Sequence, residues 1–118
     1  MEMEKERRRH QRVILVTRVT HVLLDNQQYY YSRDLSLGGI FLETKKPFPV
    51  GTRLDLDFSL PGNEKRIKVV GKVARVVLSE PAHKMPLPGM GVSFITLPEE
   101  IETELVSFLS QQYGEGYA

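Results

Sequence analysis

Polar and apolar positions alternate with a period of two along most of this chain and change to a helical period only near its end. The cleanest stretch is RLDLDFSL, where Leu54, Leu56, Phe58 and Leu60 take one parity and Asp55, Asp57 and Ser59 the other. Successive side chains of a strand point to opposite faces, so this pattern predicts a half-buried strand. Pro61-Gly62-Asn63 follows as a turn signal. Ile67, Val69, Gly71 and Val73 then alternate with Arg66, Lys68 and Lys72. From Ala74 to Leu78 apolar residues occupy both parities, which predicts a bulge near Gly71 or Val73.

The first half reads the same way. Residues 13–24 are rich in valine, leucine and threonine, as strands are. Asp25-Asn26 marks a turn, and residues 28–34, with Tyr29, Tyr30 and Tyr31, predict a second strand. Leu35 to Gly39 reads as a loop or bulge and Ile40 to Glu43 as a short third strand, followed by a connection punctuated by Pro47, Pro49 and Gly51. Three prolines make residues 79–90 a loop, and Gly91 to Thr96 a last strand. Thr96 and Glu99 have capping-box spacing, Pro98 suits a first helical turn, and Ile101, Leu105, Phe108 and Leu109 form one apolar stripe. About six strands and one C-terminal helix predict a mainly all-β fold, a small antiparallel barrel with the helix packed on it, because closure removes most sheet edges.

Composition narrows the class. A length of 118 residues predicts one domain with one core. Cysteine is absent, which excludes disulfides and thiolate metal sites. The leading MEMEKERRR has no apolar segment of the secretory type, and the longest apolar stretch, VILVTRVTHVLL, is broken by Arg18 and His21. The expected location is cytoplasmic, with no membrane association. Net charge is only +1, yet it is unevenly placed: Arg7, Arg8, Arg9 and Arg12 cluster at one end, and Glu99, Glu100, Glu102 and Glu104 at the other. The pattern implies a local basic site for a small anion or a short stretch of phosphate.

The arginines gain meaning from a second stretch, RDLSLGGIF at residues 33–41. If the first two strands pair about a turn at Asp25-Asn26, Val16 lies near Leu35 and Val13 near Gly38. The arginine arm (residues 1–12) and the Asp34 to Gly39 bend then meet at the open end of the hairpin. Arginine forks grip phosphates and the O6 and N7 acceptors of guanine. A carboxylate accepts from guanine N–H groups, Ser36 can donate or accept, and Gly38 and Gly39 permit close backbone approach or positive φ. Asp34 discriminates, because a site for phosphate alone gains nothing from a carboxylate. The set suits a guanine nucleotide.

These residues also carry a family resemblance. Arg8-Arg9-His10-Gln11-Arg12 and Asp34-Leu35-Ser36-Leu37-Gly38-Gly39 match the RxxxR and [D/N]xSxxG motifs, and over about residues 6–112 the chain resembles the PilZ domain family. The resemblance implies a six-stranded barrel over residues 13–112; the arm before it is expected to be flexible and the tail at 113–118 to fray. It implies a receptor or adaptor for cyclic di-GMP, not an enzyme, that signals to an unidentified downstream protein as a monomer or weak homodimer. Arg8 and Arg12 would contact guanine edges and phosphates, Asp34 and Ser36 would hold a guanine, and Gly39 would allow close packing. Arg7, just before RxxxR, is similar to the type that favours an intercalated pair of ligands. Arg9 and Arg75 are weaker ligand-binding candidates, Arg75 reading more readily as an exposed strand residue. No cofactor or metal is expected, since His10, His21 and His83 lack metal-ligand spacing. Asp55 and Asp57 point to solvent without a base or nucleophile.

Two other functions compete. A nucleic-acid-binding barrel would spread basic residues over a strand face with aromatics between them, whereas here they concentrate in the arm. A PilZ-like protein-interaction module without ligand would not need intact motifs.

Overall fold

The computed structural model describes residues 12–23, 25–62, 65–78 and 87–113. They form strands β1 (Val13–Ile14), β2 (Arg18–Val22), β3 (Gln27–Leu35), β4 (Gly39–Glu43), β5 (Arg53–Ser59), β6 (Arg66–Val77) and β7 (Gly89–Thr96), then helix α1 (Glu99–Tyr113). All pairings are antiparallel, in the order β1-β3-β2-β5-β6-β7-β4, and β4 also pairs with β3. That last pairing closes six strands into a barrel. β1 is an extra segment that continues the line of β2 along β3.

The alternating residues drive closure. Leu54, Leu56 and Phe58 of β5, Ile67, Val69 and Val73 of β6, and Ile40 and Leu42 of β4 all turn inward and are buried. Leu105 and Leu109 of α1 are fully buried in the same cluster, with Ile101 and Phe108 packed at its edge, so the helical stripe closes over the barrel core. Each such side chain contributes about 1.5–3 kcal/mol on burial.

Several sequence expectations shift. The first strand is broken: Leu15 to Thr17 leave the ladder between β1 and β2. The hairpin register is two to three positions tighter than expected, with Val13 opposite Leu35 and Ile14 opposite Asp34, because Val22 pairs with Gln27 across a short loop closed by Leu23 N donating to Asn26 O. The bulge near Gly71 or Val73 is two register shifts, at Val70/Gly71 and Val73/Arg75. A further bulge between Ser32 and Asp34 makes Arg33 an extra residue of β3. β7 begins at Gly89, where Gly89 and Met90 pair with both neighbours. The capping box does not form. Glu102 N donates to Pro98 O at 2.8 Å, which makes Pro98 the N-cap, while Thr96 stays in β7 opposite Val70. The arm at 1–11, most of the 79–90 loop and the tail at 114–118 lie outside the described residues. No helix among the described residues is long and apolar enough to cross a membrane.

Candidate functional site

The bend between β3 and β4 is a tight reversal. Ser36 N donates to Gly39 O at 2.9 Å and Gly39 N donates back to Ser36 O at 3.4 Å. Ser36 is buried, and its Oγ accepts from Gly38 N at 3.1 Å. Gly39 is glycine for a sheet reason: a Cβ there would overlap the Val92 carbonyl oxygen. Among the described residues positive φ occurs only at Gly51 and Gly62, so the bend does not use the left-handed freedom expected of Gly38 and Gly39.

Arg12 reaches into this bend from the far side of the hairpin. Its Nε donates to Asp34 Oδ1 at 2.5 Å, its Nη1 to Ser36 Oγ at 3.2 Å, and its Nη2 lies 3.5 Å from Gly39 O. The Ile14–Asp34 and Val13–Leu35 pairs bring Arg12 there, so the tighter register still joins arm and bend. Arg33, the bulge residue, places Nε 3.5 Å from the other oxygen, Asp34 Oδ2. Asp34 therefore bridges two guanidiniums.

Beside this cluster lies an open depression of about 200 Å³, bordered by Arg12, Ser36, Gly38, Phe41, Arg75 and Ser93 among others. It lies on the outer wall of the barrel, next to the paired arginine and carboxylate. The structure thus brings together Arg12, Asp34, Ser36, Gly38, Gly39 and, from β6, Arg75. Arg7, Arg8 and Arg9 fall outside the described residues. Sequence reasoning passed over Arg33, Phe41 and Ser93. Phe41 was legible in principle, since Ile40 and Leu42 fill the core and alternation turns the residue between them outward. Arg33 was not, because its position depends on the bulge. No cluster of three potential metal ligands occurs among the described residues. Asp55 is exposed as expected, whereas Asp57 accepts from Arg66 at 2.8 Å.

A cationic fork and a carboxylate are held together beside a tight bend on the outer wall of a six-stranded barrel, an arrangement that offers both donors and an acceptor at one surface. The PilZ domain profile matches residues 6–111, and the chain belongs to the PilZ domain family. The Bacillus subtilis inhibitor of motility MotI/DgrA superposes with a TM-score of 0.72 at 20% identity, over 91% of this chain and 52% of its own. Escherichia coli YcgR in complex with c-di-GMP gives 0.71 at 18% identity, over 91% of this chain and 46% of its own. The isolated PilZ domain of YcgR with c-di-GMP gives 0.65 at 22% identity, over 91% and 92%. The chain thus spans about half the length of the first two. No curated protein matches by sequence.

Proposed function

We propose that the protein is a receptor for cyclic di-GMP (c-di-GMP). The observation that carries the reading is the Arg12–Asp34–Ser36 cluster beside the outer-wall depression. A guanine needs donors toward O6 and N7 and an acceptor toward its N–H groups. A guanidinium and a carboxylate side by side supply both. Family membership and the two YcgR structures with c-di-GMP support the same ligand.

In this reading Arg7 and Arg8 complete the site from the arm, and Arg9 and Arg75 contribute at its margin. Two c-di-GMP molecules bind as an intercalated pair through Arg7. The ligand neutralises the clustered arginines and draws the arm onto the barrel, and the surface so formed signals to a protein partner. Charge-assisted hydrogen bonds at roughly 1.5–3 kcal/mol each offset the ordering of a few residues at roughly 1–2 kcal/mol apiece.

Calorimetric titration tests this, with c-di-GMP as ligand and GMP and a short oligonucleotide as controls. The expected result is tight binding of two c-di-GMP per chain, weakened roughly 10- to 100-fold in Arg12→Ala and in Asp34→Ala. Salt-sensitive oligonucleotide binding without a response to c-di-GMP would overturn the reading in favour of a nucleic-acid-binding barrel. A stoichiometry of one would remove the role given to Arg7.

A further inference from the structure

The outer face of β4 carries an aromatic ring that the core does not use. Ile40 and Leu42 point inward, so Phe41 between them points outward, yet it is only 1% exposed. Its cover is cationic. Cζ of Arg33 lies 3.9 Å from the ring centre and Cζ of Arg75 5.4 Å from it. Strand register explains the arrangement: Phe41 opposes Gly91 of β7, and Gly91 opposes Arg75 of β6. Arg75 crosses β7 over Gly91, where a Cβ would come within 3.1 Å of its Cγ and 3.3 Å of its Nε. Arg33 enters from the β3 bulge on the other side. Arg33, Phe41, Gly91 and Arg75 thus form a row across four strands. The row joins the cluster described above through the Arg33–Asp34 pair and shares its depression through Phe41 and Arg75.

We propose that Arg33 is a further ligand-binding residue and that Phe41 is a positioning residue which holds Arg33 and Arg75 against the barrel as a shelf for the second half of the cyclic dinucleotide. The proposal rests on the reading of the site as a c-di-GMP site. One guanine fills the Arg12–Asp34–Ser36 cluster, and the cyclic backbone keeps the second nucleotide next to it, along the same wall. A guanidinium lying on an aromatic ring has one face occupied and the other free for a base, with its edge donors still available to phosphate. A free arginine loses rotamer freedom when it binds. Arginines already packed on Phe41 have lost much of it, so less affinity is spent on ordering them.

The test is calorimetric titration of c-di-GMP into the full chain and into Arg33→Ala, Arg33→Lys and Phe41→Leu, with thermal midpoints measured without ligand. Arg33→Ala is expected to weaken binding by about tenfold at a nearly unchanged midpoint. Arg33→Lys, which keeps the charge near Asp34 but not the stacking plane, is expected to restore little. Phe41→Leu is expected to weaken binding by a similar factor. Wild-type affinity in Arg33→Ala or in Phe41→Leu would overturn the proposal, and full rescue by lysine would reduce Arg33 to a point charge and overturn the shelf. If the wild type binds and Arg12→Ala binds more weakly, a silent Arg33→Ala removes this inference alone. If the wild type does not bind, the functional reading fails and takes the shelf with it.

Discussion

Arg12 and Asp34, twenty-two residues apart in sequence, form a 2.5 Å ion pair that ties the end of the arm to the β3–β4 bend. The pair is partly exposed, with side-chain accessibilities of 41% and 21%. Screened pairs of this kind contribute about 0–1 kcal/mol to stability. Its value lies instead in placing a donor fork beside an acceptor.

This separation of roles gives the first prediction. Arg12→Ala and Asp34→Asn should each shift the unfolding free energy by less than about 1 kcal/mol, yet each should weaken c-di-GMP binding by roughly 10- to 100-fold, the loss of one or two charge-assisted contacts. Denaturant unfolding and calorimetry on the same preparations check both halves. A large stability loss with unchanged binding would make the pair a structural clamp.

Two glycines at the site should behave oppositely on substitution. At Gly39 an added methyl meets the Val92 backbone carbonyl and carbon, and backbone on a central strand cannot retreat. Gly39→Ala should therefore cost about 1–3 kcal/mol or more and lower the thermal midpoint by several degrees. At Gly91 the atoms nearest the added methyl all belong to the Arg75 side chain, which can swing away. Gly91→Ala should fold with a midpoint close to wild type and weaken ligand binding by freeing Arg75. Thermal scans and titrations of the two variants distinguish them.

How much of this was legible beforehand depended on whether a feature was local. Alternation located β5 and the inward residues of β6, because Leu54 to Leu60 and Ile67 to Val73 each report their own burial. The meeting of Arg12 with Asp34 was also legible, since a hairpin brings its two open ends together at any nearby register. Features set by tertiary pairing were not. The break at Leu15 to Thr17 and the Arg33 bulge arise from fitting β3 between two neighbours. Thr96 has capping chemistry, but its pairing with Val70 keeps it in the sheet and moves the cap to Pro98. Alternation between Ile40 and Leu42 was enough to turn Phe41 outward, but only the register shows it buried beneath arginines there.

The break in the first strand has one polar side chain at its centre. Ser32 is 1% exposed, its Oγ donates to Leu15 O at 2.6 Å, and it accepts from Thr17 N at 3.1 Å. The hydroxyl thus replaces ladder bonds that the break removes. Ser32→Ala would leave a buried donor and acceptor unpaired, at a cost of roughly 1–3 kcal/mol. Ser32→Thr keeps the hydroxyl and should lose less stability than alanine. Denaturant unfolding of the three forms measures this, and equal stability of alanine and wild type would refute the bridging role.

His21 gives the fold a pH dependence of known sign. It is buried on the inner face of β2, 4% exposed, edge-on to Phe48 at 5.5 Å between ring centroids, and its Nδ1 finds no hydrogen-bond partner. Burial lowers its pKa below the ordinary 6.5, outweighing Gln28 and Asp55, which pull it upward. The unfolded chain therefore binds a proton at higher pH than the folded chain does. The contribution to stability is fully present above about pH 6.5 and declines as pH falls through that value toward the lower folded pKa. Thermal midpoints at pH 7.5 and 5.0 should show a drop on acidification that is smaller in His21→Phe, which keeps the ring packing but cannot take up a proton. An equal drop in both proteins would assign the acid sensitivity to the carboxylates instead.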